Sequence, residues 1–494
     1  MDSMLLKLID DSLLAGPLLG WVVLGFLLVF MRLTSARREI FLGTTLVGLV
    51  ALLVYSIYSM GSAPSTPLFM ATCLWDSLSQ MVNIISILIC LAVTLMTTAG
   101  NDNDSKVYRD AYEHIPEFLI CMIFSGFGVG VLASAIDLSA LFLGLEILSI
   151  GIYCMTGFFR TDLKSTEAAL KYLLIGAFST VIFLYGVAFI YGATGATQYQ
   201  AIQAAIGSAN PTLLLFGILF LIAGLGFKLA FVPFHLYTAD VYEGAPTPVT
   251  AYMATIIKVG AAVAALRIFW GFLGTQVEVW GPFWLGLCVL SILLGNLVAL
   301  QQRTIKRLLA FSSISHAGFI GLGVYIAGTQ AQETFALMSY LVVYSAMSLG
   351  SFAMVNYFED RSRPFLVEDL KGLGQTKLVP CLCLGVFLLG LAGIPPFAGF
   401  MIKFWIFQGL IESGNFMPAI LAVIGSVIGA AYYLRLLIFM FVSPERGAAN
   451  FWTGSHDRFF SLRFLVLVTL LVTLLGSIRP QIYADWILAS LALK

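Results

Sequence analysis

The sequence predicts an all-α polytopic membrane protein of about fourteen transmembrane helices, and three observations carry that prediction. First, 60% of the 494 residues are hydrophobic and only 11% are charged, where a soluble domain holds about 25% charged residues. Second, many stretches exceed the roughly 20 apolar residues that a bilayer crossing needs. Third, the basic residues alternate in density from loop to loop. Seventeen of the 26 lie in loops that follow odd-numbered spans, four lie in the tails and the other loops, and five lie within spans. Lysine and arginine collect on the cytoplasmic side. The odd loops therefore face the cytoplasm and the N- and C-termini face the periplasm, in what reads as a bacterial inner membrane protein.

The chain is one membrane domain, 1–494. Three opening helices, near 13–32, 40–60 and 77–98, occupy residues 1–116, and the polar loop 99–116 reads as a solvated turn. Spans follow at 117–135 and 137–157, the second carrying Glu146 in mid-span, where a carboxylate should face the bundle interior and pair with a cation. In the next span, 167–192, Glu167 and Lys171 are four residues apart, an ordinary helix-surface spacing. Lys171 reads equally as a relay member or as an interfacial anchor. The seventh span, 211–240, should break at Pro233, which cannot donate to the carbonyl of Leu229. Lys228 stands just before that break and His235 just after it. A second lysine, Lys258, lies in the middle of the span at 248–268.

The second half runs through 279–300, 308–327, 333–357, 378–410, 416–441 and a last helix at 463–490, in the closing segment 442–494. Lys306 and Arg307 read as interfacial anchors and His316 as a deeper residue. In the span 378–410, Pro395 and Pro396 predict another break, with Lys403 beyond it. Interrupted helices in the seventh and twelfth spans suggest two related halves, 117–268 and 279–441. Their odd separation makes those halves inverted in the membrane, a usual build for ion transporters.

Much else is excluded. No basic run suggests nucleic acid. Lys7 is offset by Asp2, Asp10 and Asp11, which does not read as a cleaved signal peptide. The seven cysteines lie in or beside apolar segments, without the spacing of a zinc or iron–sulfur site. No phosphate-binding glycine loop, paired carboxylates or Ser-His-Asp set is present, so any electron transfer takes place on another polypeptide.

The buried charges remain. One buried lysine reads well as a structural salt bridge, but Glu146, Lys228, Lys258 and Lys403 together cost on the order of 10–14 kcal/mol on insertion scales. One carboxylate cannot neutralise three lysines, so the row must be hydrated or must give up protons part of the time. Such a row is a proton carrier. In it, Glu146 pairs with Lys228 in one state, Lys228 passes its proton through water toward Lys258, and Lys403 exchanges with the far side. His235 and His316 read either as bridges in that row or as hydrogen-bonded packing residues. Arg435 is too basic to shuttle and fixes geometry or a lipid headgroup. Asp240 and Glu243 read as loop charges near the cytoplasmic mouth.

Three stretches resemble the N-type antiporter-like membrane subunits of respiratory complex I. They are Gly226-Phe227-Lys228 through Pro233-Phe234-His235 and on from Asp240-Val241-Tyr242-Glu243-Gly244-Ala245-Pro246-Thr247-Pro248; Ile305-Lys306-Arg307-Leu308 through Ser315-His316; and Gly393-Ile394-Pro395-Pro396-Phe397. The resemblance covers nearly the whole chain. It implies inverted five-helix repeats, with Glu146, Lys228, Lys258 and Lys403 matching the family's glutamate and three lysines. It implies proton translocation coupled to quinone reduction by NADH, and L- and M-type relatives and small membrane subunits as neighbours in the bilayer. NADH, FMN, iron–sulfur clusters and quinone would belong to partner subunits, with no cofactor or metal on this chain. A lysine at position 403 and the lack of a long lateral C-terminal helix separate it from the M- and L-type patterns. A subunit of a multi-subunit cation/proton antiporter or of a membrane-bound hydrogenase carries similar features, and a purely structural scaffold is a third reading.

Overall fold

The computed structural model describes residues 11, 15–34, 37–60, 67–98, 114–328, 331–359, 364–442 and 460–478. Most of the loop 99–116, the end of the last predicted span and both termini lie outside them. Among the described residues there are eighteen α-helices, of which twelve are long and apolar enough to cross a membrane. They are α1 Gly16–Leu33, α2 Arg38–Tyr58, α3 Ser77–Thr98, α4 Ile115–Ser134, α5 Leu138–Thr156, α6 Leu163–Thr194, α7 Tyr199–Ala205, α8 Pro211–Leu229 and α9 Thr238–Gly244. The rest are α10 Thr247–Phe269, α11 Val277–Ala299, α12 Ile305–Ile326, α13 Ala331–Phe358, α14 Leu373–Thr376, α15 Leu378–Ala392, α16 Ala398–Glu412, α17 Phe416–Phe441 and α18 Phe460–Ile478.

Local signals explain where these helices start. Asn210 caps α8 by accepting from the amides of Thr212 and Leu213, with Pro211 at the first helical position. Asp137 caps α5 and Thr304 caps α12 in the same manner. The core helix is α10, in which every residue except Pro248 and Arg267 is buried. Its alanines at 251, 254, 261, 262, 264 and 265 leave it without a polar face and let neighbours approach closely. Helices α12 and α13 lie against it, and α1, α2, α6 and α17 expose long apolar faces at the periphery.

Two predicted spans are interrupted, as α8–α9 and α15–α16. Each contains a cis X-Pro bond, Val232–Pro233 and Pro395–Pro396. The first break does not fall at Pro233. Helix α8 ends at Leu229 because Ala230 turns left-handed at φ +59°, its amide and that of Phe231 closing on the carbonyls of Phe227 and Gly226. Proline disfavours helical backbone in the residue before it, and here the unwinding reaches back three positions. Helix α15 ends likewise at Ala392, with Gly393 at φ +77°. A Cβ on Gly399, just past this break, would stand 1.7 Å from the Gly390 carbonyl oxygen, so the half-helices touch backbone to backbone.

The helix ends are tied down on both sides of the bundle. On one, isolated bridges join Cys73 to Ala135 and Asp137 to Gln198, and Arg267 pairs with Asp76 at 2.6 Å. Burial alone would raise the Asp76 carboxyl, but the Arg267 guanidinium and Ser79 outweigh it and hold the group below its usual range. On the other side, Thr304 bridges to Leu366.

Candidate functional site

Three lysines of the predicted row are buried, Lys228 at 7% exposure, Lys258 at 3% and Lys403 at 5%. Each is held by neutral groups. Lys228, in the last turn of α8, donates to Ser149 Oγ at 2.7 Å and to Tyr153 OH at 3.2 Å, both on α5. Lys258 donates to Ser313 Oγ of α12 at 2.5 Å. Lys403, on the half-helix beyond the second break, donates to the carbonyls of Leu391 and Ala392 at 3.1 and 3.0 Å and to Ser426 Oγ at 3.2 Å. Those carbonyls lost their helical partners when α15 ended, and a cation at a helix C-terminus is favourable.

Glu146 is half-buried on α5 and accepts from Thr180 Oγ1 of α6 at 2.8 Å. It is one turn from Ser149 but makes no ion pair with Lys228, so this structure holds the unpaired arrangement of those two groups. Between Lys228 and α10 lies a cavity of about 10 Å³, lined by Ser149, Tyr172, Leu148, Ile152, Ile257 and Ala261 among others. That is room for about one water.

His316 joins the row. Its Nδ1 lies 2.7 Å from Tyr340 OH and its Nε2 3.5 Å from Tyr433 OH, which also bonds Ser312. Its ring packs 5.0 Å from that of Tyr344, whose hydroxyl donates to Ser313, the partner of Lys258. His235 does not join. It is half-buried outside the first break, packs on Phe311, and its Nδ1 has no partner among the described residues.

Lys171 sits at the rim, 40% exposed, bonded to Glu167 at 2.7 Å and Asp240 at 2.9 Å. Asp240 and Glu243 are not loop charges. They lie on the half-helix α9 and bind Arg307 at 2.8 and 3.1 Å, so one carboxylate, Asp240, which also binds Lys171, ties α6 to α12. Lys306 is also no plain interfacial anchor. It is 8% exposed, pairs with Glu359 Oε1 at 3.0 Å and donates to the Ala245 carbonyl at 3.2 Å. Arg435 donates to the Leu300 carbonyl at the end of α11 and stacks on Phe439, which is a geometric role. Sequence reasoning missed the hydroxyl partners Ser149, Tyr153, Ser313, Tyr340, Tyr344 and Ser426. Only the Ser312-Ser313 pair beside His316 hinted at them.

The seven cysteines form no disulfide, and among the described residues no cluster of His, Cys, Asp and Glu is arranged to hold a metal ion. Interrupted helices closing on buried, neutrally solvated lysines define an integral membrane protein of antiporter-like build. The transmembrane family described as NADH:quinone oxidoreductase/Mrp antiporter matches residues 135–429. NADH-quinone oxidoreductase subunit N of Trichlorobacter lovleyi is 35% identical over 469 residues, covering 94% of this chain and 92% of that one. A chain of respiratory complex I from Thermus thermophilus superposes with a TM-score of 0.78 at 31% identity, covering 94% of this chain and 97% of the other. A chain of the Mrp complex from a Dietzia species reaches a TM-score of 0.81 over 98% and 97% of the two chains, but at 20% identity it shares the fold alone. The chain belongs to the NADH:quinone oxidoreductase/Mrp antiporter family and, within it, to the N-type membrane subunits of NADH-quinone oxidoreductase.

Proposed function

We propose that this chain carries protons across the membrane along Glu146, Lys228, Lys258, His316 and Lys403, driven by quinone reduction by NADH in neighbouring subunits. One contrast carries this reading. Lys228, Lys258 and Lys403 have only hydroxyl and carbonyl hydrogen-bond partners, whereas Lys171, Lys306, Arg267 and Arg307 are all paired with carboxylates. A carboxylate partner pins the proton on a cation. Hydroxyls and carbonyls solvate the charged form without pinning it, and a hydroxyl also donates to the neutral amine. A change of charge at one lysine then alters proton affinity at the next, because Coulomb interactions reach further in a weakly polarisable interior.

In this reading α8–α9 and α15–α16 each make one pass, which gives fourteen passes with both termini on the periplasmic side of a bacterial inner membrane. Residues 117–268 and 279–441 are the inverted halves, after the opening segment 1–116 and before the last helix in 442–494. The odd separation of the two breaks in the order of spans supports that inversion. NADH, FMN, iron–sulfur clusters and quinone belong to partner subunits, and L- and M-type relatives and small membrane subunits are the neighbours.

The test replaces Lys228 by alanine in the assembled complex and follows NADH-driven proton uptake into inverted membrane vesicles. We expect at least an approximately tenfold loss, equivalent to about 1.4 kcal/mol of barrier, with the complex intact. Undiminished proton uptake would leave the chain a scaffold.

A further inference from the structure

Three buried helix faces meet below Lys258, on the side that the basic loops mark as cytoplasmic. On α10, Thr247, Ala251, Ala254 and Lys258 share one face; on α12, Lys306 and Ser313 do; on α13, Tyr340, Tyr344, Ser348 and Ser351 do, with Glu359 just past its end. The contacts join these faces at two levels. At the lower, Thr247 Oγ1 donates to Glu359 Oε2 while Lys306 Nζ binds Glu359 Oε1 at 3.0 Å. At the upper, Lys258 and Tyr344 donate to Ser313 at 2.5 and 3.4 Å, and Tyr344 OH lies 3.2 Å from the Ala254 carbonyl. Roughly 16 Å of helix separates Thr247 from Lys258, at about 1.5 Å per residue.

The space between the levels is not built like ordinary core. Ser348 hydrogen-bonds Tyr344. Ser351 is fully buried, yet its hydroxyl has no partner among the described residues. A helical serine usually returns its hydroxyl to the carbonyl four residues back. A buried hydroxyl that does not is costly unless water satisfies it. Val355 is the one apolar side chain on the stripe between Ser351 and Glu359. Glu359 itself is 15% exposed, so it reaches both bulk water and the foot of the column.

We propose that this column is the cytoplasmic proton entry to Lys258. Glu359 takes a proton from bulk water. Buried water at Ser351 and Ser348 carries it to Tyr344 and Ser313, and it ends on the neutral amine of Lys258, leaving Glu359 ionised again beside Lys306. The proposal rests on the proton-carrying function above.

The experiment uses inverted vesicles that hold the assembled complex and reads protons taken up per NADH oxidised. Glu359→Gln should lower that ratio at least threefold and Glu359→Asp should retain most of it. Lys306→Gln breaks the same ion pair but keeps the carboxylate, and should retain at least half. Equal losses in Glu359→Gln and Lys306→Gln would make the pair structural and overturn the proposal. Ser351→Val should lower the ratio at least twofold and Ser351→Thr should not. A wild-type ratio in Ser351→Val overturns the route, and this pair decides the matter if Glu359→Gln fails to assemble. Lys228→Ala in the same vesicles separates the two levels of claim. If it pumps normally, the proton-carrying function fails; if it is inactive while Glu359→Gln and Ser351→Val pump normally, only the entry route fails.

Discussion

Lys258 has unlike surroundings on its two sides. Toward Lys403, the protein supplies Ser313, Tyr344, His316, Tyr340, Tyr433 and Ser312, most of them in hydrogen-bonding distance of the next. Against Lys228, by contrast, lies a cavity of about 10 Å³ walled mainly by leucine, isoleucine and alanine, with Ser149, Tyr172 and the lysine as its polar edge. In the row proposed above, a proton leaving Lys258 toward Lys403 would meet side chains able to pass it on. In the same proposed row, a proton leaving Lys228 through that cavity would need a water in an apolar gap with few partners. If the proposed row carries protons, the contrast predicts that its controllable step lies at Lys228, next to Glu146.

The largest effect should come at the lysine shared by both sides. Lys258→Arg keeps a cation of similar reach but one that does not release its proton. Proton uptake by inverted vesicles should fall at least about tenfold, or ~1.4 kcal/mol of barrier, in a fully assembled complex. Normal uptake would mean that fixed charge at this position suffices, and the contrast between a hydrogen-bonded and an apolar side would lose its purpose.

A smaller, unequal effect should separate the sides. Ser149 and Ser426 each give one hydroxyl to a buried lysine. Without Ser426, Lys403 keeps the carbonyls of Leu391 and Ala392; without Ser149, Lys228 keeps only Tyr153. Losing a hydrogen bond to a scarcely solvated cation is worth about 1 kcal/mol or more. Ser149→Ala should therefore slow proton uptake roughly fivefold, and Ser426→Ala should slow it by less than about twofold. Equal losses would show that Lys228 is as well solvated as Lys403.

Legibility in the sequence followed the cost of each residue. A lysine or glutamate inside an apolar stretch stands out because burial there is expensive, so Glu146, Lys228, Lys258 and Lys403 were visible. Serine and tyrosine are ordinary in apolar helices, and only the folded bundle shows which of them face a lysine. Lys306 and Glu359 stood at predicted span ends, where charge is unremarkable, and the closing of α10, α12 and α13 buried them. The pairing of Glu146 with Lys228 in one state was inferred from charge, and in this structure Glu146 accepts from Thr180. His235 and His316 were put forward alike, as histidines that titrate near neutral pH, and only the fold separates them: His316 bonds Tyr340, while His235 packs half-buried on Phe311.

The two breaks differ in the residue that turns the chain, and this difference should show in stability, with the smallest effect on transport. Gly393 adopts φ +77° with no Cβ to strain it, while Ala230 adopts φ +59° with one. The left-handed conformation costs a non-glycine residue about 1–2 kcal/mol. Gly393→Ala should destabilise the subunit by about that much. It should also disturb Lys403, because the new Cβ would stand 2.9 Å from Lys403 Cδ and 3.0 Å from its Nζ. Ala230→Gly should do the reverse, a gain of up to about 1 kcal/mol once the greater freedom of glycine in the unfolded chain is subtracted. Thermal denaturation of the purified complex, followed by loss of this subunit, would read both. A lower Tm in Ala230→Gly would mean that the alanine methyl, buried among its neighbours at 4% exposure, contributes more by packing than it costs in strain. The first break would then be held by side-chain contacts where the second is held by the freedom of a glycine.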